Sequence, residues 1–180
     1  MAYNMKDVFY LDTAVTTGTS TGTIAQELDL SSYVDPIARG KSKGTGLAVY
    51  KVHFDITAAD GNAPVAAGVT GTFRAGLMSI SGIPSGSFTL NNNVMNASSD
   101  LMLAGVNFYG GGTAAGDPAP HTFLEPSPEV PYVVVRDQVV LIADITTAMS
   151  SSAIVNVRLE CAQVTLDQST LNQLLRTQTV

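Results

Sequence analysis

The sequence predicts an all-β protein, an antiparallel sandwich of about eight strands, on three observations. Apolar and polar residues alternate with a period of two in several stretches, turn-rich segments separate these stretches, and only one short segment has helical spacing. The alternation is strongest in Leu47–Ile56, and it recurs in Tyr132–Ile145 and Ile154–Val164. We expect these three stretches to form the core. A chain of 180 residues is long enough for one domain with a two-sheet core.

Leu47–Ile56 is the stretch around which the other elements are expected to be organised. One face is predicted to point into the core: Ala48, Tyr50, Val52, Phe54 and Ile56. The opposite face is mixed: Leu47, Val49, Lys51, His53 and Asp55. Because no partner for chemistry accompanies the polar residues of the mixed face, we expect them to serve in pairing between strands or in a subunit contact.

The N-terminal quarter of the chain is predicted to hold an arm, a strand and a loop. Residues 1–22 run from a short apolar piece into a Thr/Gly-rich segment, which indicates an extended N-terminal arm or an edge segment. Thr23–Leu30 alternates as a strand does, and Ser31–Gly46 is predicted as a loop with at most one helical turn. We place the sandwich domain at residues 23–166.

The middle of the chain alternates between strands and turn-rich connections. Two strands are predicted, Val69–Ile80 and Leu101–Tyr109, with a shorter one at Ser87–Leu90. Gly71 and Gly76 interrupt the first of them, which indicates a bulge or a close approach of another backbone. The connections are Ala58–Gly68, Gly82–Gly86, Asn91–Ser99 and Gly110–Pro120.

The C-terminal part contains the remaining strands and the only predicted helix. Thr122–Leu124 is a short edge piece, and Tyr132–Ile145 is either two strands flanking Arg136-Asp137-Gln138 or one kinked strand. In the next strand four residues face one way: Val155, Val157, Leu159 and Cys161. Asp167–Arg176 is predicted as a helix capped by Asp167 or Ser169, within a C-terminal tail at residues 167–180. The helix is expected to dock on a surface through a stripe of three leucines: Leu171, Leu174 and Leu175.

The connections favour one kind of sandwich. No repeat of 20–50 residues is visible, which argues against propellers and solenoids. Long loops disfavour a simple up-and-down meander, so Greek-key or jelly-roll connections fit best.

The composition restricts the classes of partner. Charged residues make up 13% of the chain, about half the usual share, and the net charge is −6. Either the surface exposes many small neutral groups, or much of it contacts other subunits, since charged residues are depleted at interface cores. Of the basic residues only Arg39, Lys41 and Lys43 cluster, so we expect no direct binding of nucleic acid. No signal-peptide core or membrane-spanning stretch is recognised, and we expect a soluble chain that is not classically secreted.

Two short motifs resemble catalytic or phosphate-binding sequences but lack their context. Gly18-Thr19-Ser20-Thr21-Gly22 matches the G-x-S-x-G nucleophile motif, yet a strand is predicted after it where that motif requires a helix. Gly40-Lys41-Ser42 resembles the end of a phosphate-binding loop, but Asp35 stands where that loop requires glycine. The second segment is therefore a solvated loop or a loop that contacts a subunit. We predict no catalytic and no cofactor-binding residues.

The potential metal ligands are few and scattered. His53 and His121 are the only histidines, and an extended strand would separate His121 from Glu125 by about 13 Å. Loop acids near Asp60 and Asp117 match no EF-hand pattern, so no metal site is predicted, although a structural calcium ion stays open. Asn96-Ala97-Ser98 matches a glycosylation sequon, which we attribute to chance without a secretory signal.

Cysteine and aromatic usage also limit the possible functions. Cys161 is the only cysteine and is expected to be a buried structural thiol. The chain has no tryptophan, and four tyrosines are scattered, so no platform for stacking sugars is evident: Tyr10, Tyr33, Tyr109 and Tyr132. A lectin-like sandwich nevertheless stays an alternative.

The predicted plan consists of an extended N-terminal arm, a neutral sandwich with long loops and a C-terminal helix. It resembles the small single jelly-roll major capsid proteins of icosahedral viruses, in particular tailless viruses that enclose a membrane. The resemblance lies in organisation and not in a sequence signature. It implies a structural, non-enzymatic virion protein without a cofactor, which tiles a capsid shell with copies of itself and other capsid proteins. Loops such as Gly110–Pro120 would face outward or meet neighbours, and the termini would tie subunits together.

The lack of a basic arm implies that a membrane or an inner protein layer separates such a shell from the genome. The alternatives are another assembling structural subunit (a decoration, tail or surface-fibre protein) and the lectin-like sandwich.

Overall fold

The computed structural model describes residues 7–35, 43–80, 86–88, 95–111 and 118–178. In these ranges the chain forms ten strands and one helix. The elements are β1 (Phe9–Thr16), β2 (Gly22–Asp29), β3 (Lys43–Ala58), β4 (Thr72–Met78), β5 (Gly86–Phe88), β6 (Met102–Tyr109), β7 (Ala119–Leu124), β8 (Tyr132–Val134), β9 (Gln138–Thr147), β10 (Ala153–Asp167) and α1 (Gln168–Thr177).

The strands form two antiparallel sheets, one in the order β1-β10-β3-β8 and the other in the order β5-β2-β9-β4-β6-β7. Without the short edge strands β5 and β7, eight strands remain. The first of them pairs with the last, the second with the seventh, the third with the sixth and the fourth with the fifth. This nested pairing of two Greek keys is the jelly roll, so the predicted fold class is confirmed, with two additional edge strands.

The main core lies between the two sheets. Phe73 of β4 stacks on Phe108 of β6 with ring centroids 4.8 Å apart, and both rings are fully buried. The four residues of β10 that were expected to face one way are all buried in this core: Val155, Val157, Leu159 and Cys161. The predicted face of β10 is therefore confirmed.

A β-bulge in β3 overturns part of the predicted face of Leu47–Ile56. Lys51 lies opposite Glu160 and Val49 lies opposite Cys161, so Tyr50 is an extra residue in β3. The extra residue reverses the alternation, and the residues before it take the other face. Leu47 and Val49 therefore enter the main core. Ala48 is buried, as predicted, but outside this core cluster, and Tyr50 is only half-buried. Val52, Phe54 and Ile56 keep the predicted inward face, the last two only half-buried.

The start of β3 was also predicted wrongly, because Lys43–Gly46 is strand where a loop was expected. A bridge between Asp35 and Thr45 fixes this end of the strand. A Cβ atom at Gly44 would lie 2.9 Å from Leu171 Cδ2, so the glycine leaves the room that α1 needs to pack on the sheet. The glycines of this segment thus mark close packing instead of a turn.

The stretch Tyr132–Ile145 forms two strands, β8 and β9, which lie in different sheets. Of the two alternatives, the kinked single strand is therefore wrong. In β9 the run Val139–Ala143 is buried on both faces. Its outer residues, Val140 and Ile142, belong to a second apolar cluster with Met95 and other residues of the β4–β6 connection. This connection covers part of the outer face of the six-stranded sheet.

Helix α1 packs on its own chain, as its leucine stripe predicted. Asp167 is the N-cap: its carboxylate accepts a hydrogen bond of 2.7 Å from the Thr170 N–H. Leu171 is buried, and Leu174 and Leu175 are half-buried. Within the described residues, no helix is long and apolar enough to cross a membrane.

Gln178 follows α1 and inserts its side chain between the two sheets, where it is 3% exposed. Its Oε1 accepts hydrogen bonds from the Ser79 hydroxyl (3.1 Å) and the Val135 N–H (3.2 Å), and its Nε2 donates to the Val133 carbonyl (2.6 Å). Arg136 donates to the Gln178 carbonyl from both Nε and Nη2. Gln178 therefore joins the end of β4 in one sheet to β8 in the other.

The cap of α1 should respond to acid. The pKa of the Asp167 carboxyl lies below its ordinary value, because the carboxylate accepts hydrogen bonds from the Thr170 N–H and the Ser169 hydroxyl. A carboxyl group with a lowered pKa stabilises the folded state at pH values above its ordinary pKa of about 4. This stabilisation is lost as the pH falls through the folded-state pKa. The Thr170 amide resonance should titrate in this range, and Asp167→Asn should abolish that titration while it keeps the cap.

The described part of the predicted N-terminal arm includes β1, which pairs with β10 along its whole length at the edge of the four-stranded sheet. The limits at residues 22 and 167 between arm, domain and tail stay predictions. Several predicted features lie outside the described residues: Arg39, Gly40-Lys41-Ser42, the turn after Ser81 and residues 112–117 of the predicted loop.

Candidate interaction surfaces

The outer face of the four-stranded sheet carries a patch of cross-strand polar pairs. His53 Nε2 of β3 lies 2.7 Å from Glu160 Oε1 of β10, with side chains 45% and 31% exposed. The Arg158 guanidinium lies 5.8 Å from the centroid of the Tyr10 ring on β1. Partly exposed pairs of this kind contribute at most about 1 kcal/mol each. Together with Asp12 and other residues of β1, β3 and β10, these side chains line a depression that is open to solvent.

The pairing between strands that was expected for the mixed face of β3 is thus confirmed for His53. Around this patch, and elsewhere in the ranges that the structure describes, no group of three His, Cys, Asp or Glu side chains could hold a metal ion. His121 Nδ1 lies 3.3 Å from the carbonyl of its neighbour Thr122 on β7, far from His53 in another sheet.

The outer face of the six-stranded sheet is organised by Arg74 of β4. Its Nε donates to Asn107 Oδ1 (2.8 Å), its Nη1 donates to the Met95 carbonyl (3.0 Å), and its guanidinium lies 4.6 Å from the centroid of the Phe123 ring. These contacts fasten the β4–β6 connection to the sheet. Beside Arg74 lies a second shallow depression, bordered by Tyr109.

The nucleophile-like motif lies in a described segment, whereas Gly40-Lys41-Ser42 lies outside the described residues. Gly18–Gly22 leads directly into β2, a strand, and neither histidine lies on β1 or β2. The carboxylate of Asp60, considered above as a calcium ligand, accepts hydrogen bonds from the N–H groups of Asn62 (3.1 Å) and Ala63 (3.3 Å). This carboxylate shapes the turn after β3.

Cys161 is a buried thiol, as predicted, and burial raises its pKa to about 12. The four tyrosines lie apart. Tyr33 stacks on Phe9 with centroids 5.1 Å apart, and the Tyr132 hydroxyl donates to the Asp100 carbonyl. Tyr10 and Tyr109 are exposed, but they belong to different sheets. The described residues therefore contain no group of aromatic rings suited to stacking sugars.

Sequence reasoning missed an exposed, uncharged surface, which we call the β7 surface. Its strand, β7, extends the six-stranded sheet beyond β6, and its first four residues, Ala119–Thr122, are all exposed. Tyr109 pairs with Ala119 and is 51% exposed, and Val130 in the next loop is 74% exposed. The exposed and uncharged segment Ala119–Thr122 is the sequence signal for this surface.

Comparison with solved structures found similar chains from two polyomaviruses. VP1 of Trichodysplasia spinulosa-associated polyomavirus, solved with 3'-sialyllactose, is similar with a TM-score of 0.48 and 7% identity, over 90% of this chain and 97% of that chain. VP1 of Human Polyomavirus 12 gives a TM-score of 0.44 and 9% identity, over 89% of this chain and 99% of that chain. No protein-family model and no curated protein matches the sequence.

Proposed function

We propose that this chain is a structural virion protein that self-assembles through its jelly-roll domain into an icosahedral capsid shell. The observation that carries the proposal is the β7 surface. A strand whose first four residues are exposed on both faces gains little from packing within one chain. Contact with a neighbouring subunit would bury the uncharged segment Ala119–Thr122 together with Tyr109, at little cost in desolvated charge.

The chemistry of the rest of the surface supports a contact role. The two depressions are open to solvent. In the first, His53 pairs with Glu160 and Arg158 lies against Tyr10, and in the second Arg74 holds the β4–β6 connection. Ligand sites that bind small molecules are instead concave and enclose most of their ligand. With only 13% charged residues, the chain offers neutral surface over much of its exterior.

The proposed partners are copies of this chain and other capsid proteins, and the proposed location is the virion. The basic residues support the expectation of no direct contact with nucleic acid. Arg74, Arg136 and Arg158 lie on different elements and are engaged by other groups of the protein. Because a nucleic-acid footprint requires a continuous basic patch, a membrane or an inner protein layer is proposed between shell and genome.

Light scattering after size-exclusion chromatography, together with negative-stain microscopy of the purified chain, tests the proposal. Closed shells or regular tiles are the expected result. Filaments would instead favour the alternative of a tail or fibre subunit, and a monomer at all concentrations would overturn the proposal.

A substitution on the β7 surface should weaken assembly without loss of stability. Thr122→Arg places a charge on the exposed strand, and burial of that charge in an interface should raise the protein concentration needed for assembly about tenfold or more. The thermal midpoint of the unassembled chain should change by about 2 °C or less, because the side chain is solvated there. Ser151→Arg, in the exposed turn before β10, is the matched control and should assemble normally. Equal assembly of all three proteins would remove β7 from the proposed interface.

A further inference from the structure

β1 is a long sheet edge that carries little to discourage pairing with another chain. Long edge strands usually carry proline, lysine or a bulge, which prevents pairing with other chains. β5 and β8 are only three residues long, and Pro120 removes an N–H from β7. The part of β3 that continues past β8 carries Lys51. β1 has eight residues, no proline, no lysine and one charge, Asp12.

The direction of the free backbone groups on β1 follows from one hydrogen bond. The Thr17 N–H donates to the Ala153 carbonyl (2.8 Å), at the end of the ladder between β1 and β10. Alternate residues of a strand direct their N–H and C=O groups to the same side. The odd-numbered residues therefore bond to β10, and four exposed residues direct both groups away from the sheet: Tyr10, Asp12, Ala14 and Thr16. No backbone hydrogen bond reaches these groups from any described residue outside the strand.

We propose that β1 pairs with β1 of a second copy, antiparallel across a two-fold axis, and joins two four-stranded sheets into one of eight strands. The pairing specifies a contact for the proposed self-assembly and rests on it. An isologous contact of this kind needs only one self-complementary edge. The outward-directed residues of β1, from Tyr10 to Thr16, are exposed and so accessible to a second copy.

The cross-strand pairs select one register. A register centred on Asp12 would set the two Asp12 carboxylates opposite each other, which is unfavourable. A register centred on Thr13 sets Asp12 opposite Ala14 and Tyr10 opposite Thr16. It engages all four outward-directed residues, in about eight backbone hydrogen bonds. On the inner face it sets Leu11 opposite Val15, which extends the apolar core across the contact.

A disulfide tests both the contact and its register. In the proposed register the two Thr13 residues form the pair on the two-fold axis, with Cα atoms about 4.5 Å apart, a distance that a disulfide spans. Thr13→Cys should therefore form a covalent dimer under mild oxidation of the assembled protein. The wild type should not, because Cys161 is buried and protonated. Asp12→Cys and Leu11→Cys are the matched controls for shifted registers and should cross-link at least about tenfold more slowly.

Ala14→Pro tests the hydrogen bonds of the same edge. The Ala14 N–H is directed away from β10, so proline there removes bonds of the proposed contact and none of the β1–β10 ladder. The dissociation constant of the dimer should rise at least about tenfold, and the circular dichroism of the monomer should not change.

The outcomes separate this inference from the proposed function. Regular particles without a Thr13→Cys cross-link, or with faster cross-linking of either control, would overturn the β1 pairing and leave self-assembly standing. Undiminished dimerisation of Ala14→Pro would also overturn it. A chain that stays monomeric under all conditions would overturn both.

Discussion

Replacement of Gln178 by alanine should lower the free energy of unfolding by about 3 kcal/mol, one of the two largest effects expected for a single side chain. The side chain satisfies the Val135 N–H, the Val133 carbonyl and the Ser79 hydroxyl. Each buried polar group that loses its partner costs about 1–3 kcal/mol, although water that enters the gap recovers part of this. Chemical denaturation of the unassembled chain measures the change.

Gln173→Ala is the matched control for this measurement. Gln173 lies on the exposed side of α1, so the same truncation should change the free energy of unfolding by about 0.5 kcal/mol or less. The measurement also separates two roles of the C-terminal tail. The resemblance implied that the termini tie subunits together, whereas the contacts of Gln178 join the two sheets of one chain. Unchanged stability of Gln178→Ala would contradict the role of Gln178 in joining the sheets.

Gly71→Ala should destabilise the protein by about 4 kcal/mol, which would lower the thermal midpoint by about 10 °C. Gly71 has φ +105°, a backbone conformation that residues with a Cβ atom rarely adopt. An added Cβ would also lie 2.6 Å from the Ala148 carbonyl oxygen and 2.7 Å from Met149 Cα. Both contacts are with backbone atoms, which cannot rotate away. The backbone of the β9–β10 turn would have to shift.

Gly68→Ala separates the two costs. Gly68 also has a positive φ, +83°, but an added Cβ would meet no atom within 4 Å. Only the backbone strain stays, and it should cost about 1 kcal/mol. The difference between the two variants, about 3 kcal/mol, then measures the close approach of the β9–β10 turn to Gly71. Equal thermal midpoints for the two variants would refute the close approach.

Much of the fold could be predicted because the period-two alternation of a strand is local. β10 follows its alternation from Ala153 to Cys161 and buries the four predicted residues. The bulge at Tyr50 could not be predicted, because it depends on how β3 matches β10, more than 100 residues later. Gly71 in Val69–Ile80 was predicted to mark a bulge or a close approach of another backbone. The structure shows the close approach, to the backbone of Ala148 and Met149.

The surfaces were harder to predict than the fold, since a sequence does not show what covers an outer face. Val140 and Ile142 were expected in a strand, but nothing local indicated that the β4–β6 connection would bury them on the outer face. The partner of His53 could not be predicted without the register between β3 and β10. That register brings Glu160 Oε1 to 2.7 Å from His53 Nε2. Gln178 lies beyond any periodic pattern, and its role appears only once both sheets are in place.

The pairing of the first strand with the last has a consequence for synthesis on the ribosome. Within the described chain the only sheet partner of β1 is β10, the last of the described strands, which is synthesised more than 130 residues later. A ladder between such distant parts of the chain is slow to form. β1 therefore waits for β10 to leave the ribosome before it can pair. The edge by which we propose that copies join arises only then, so chains that end before β10 would lack the proposed contact.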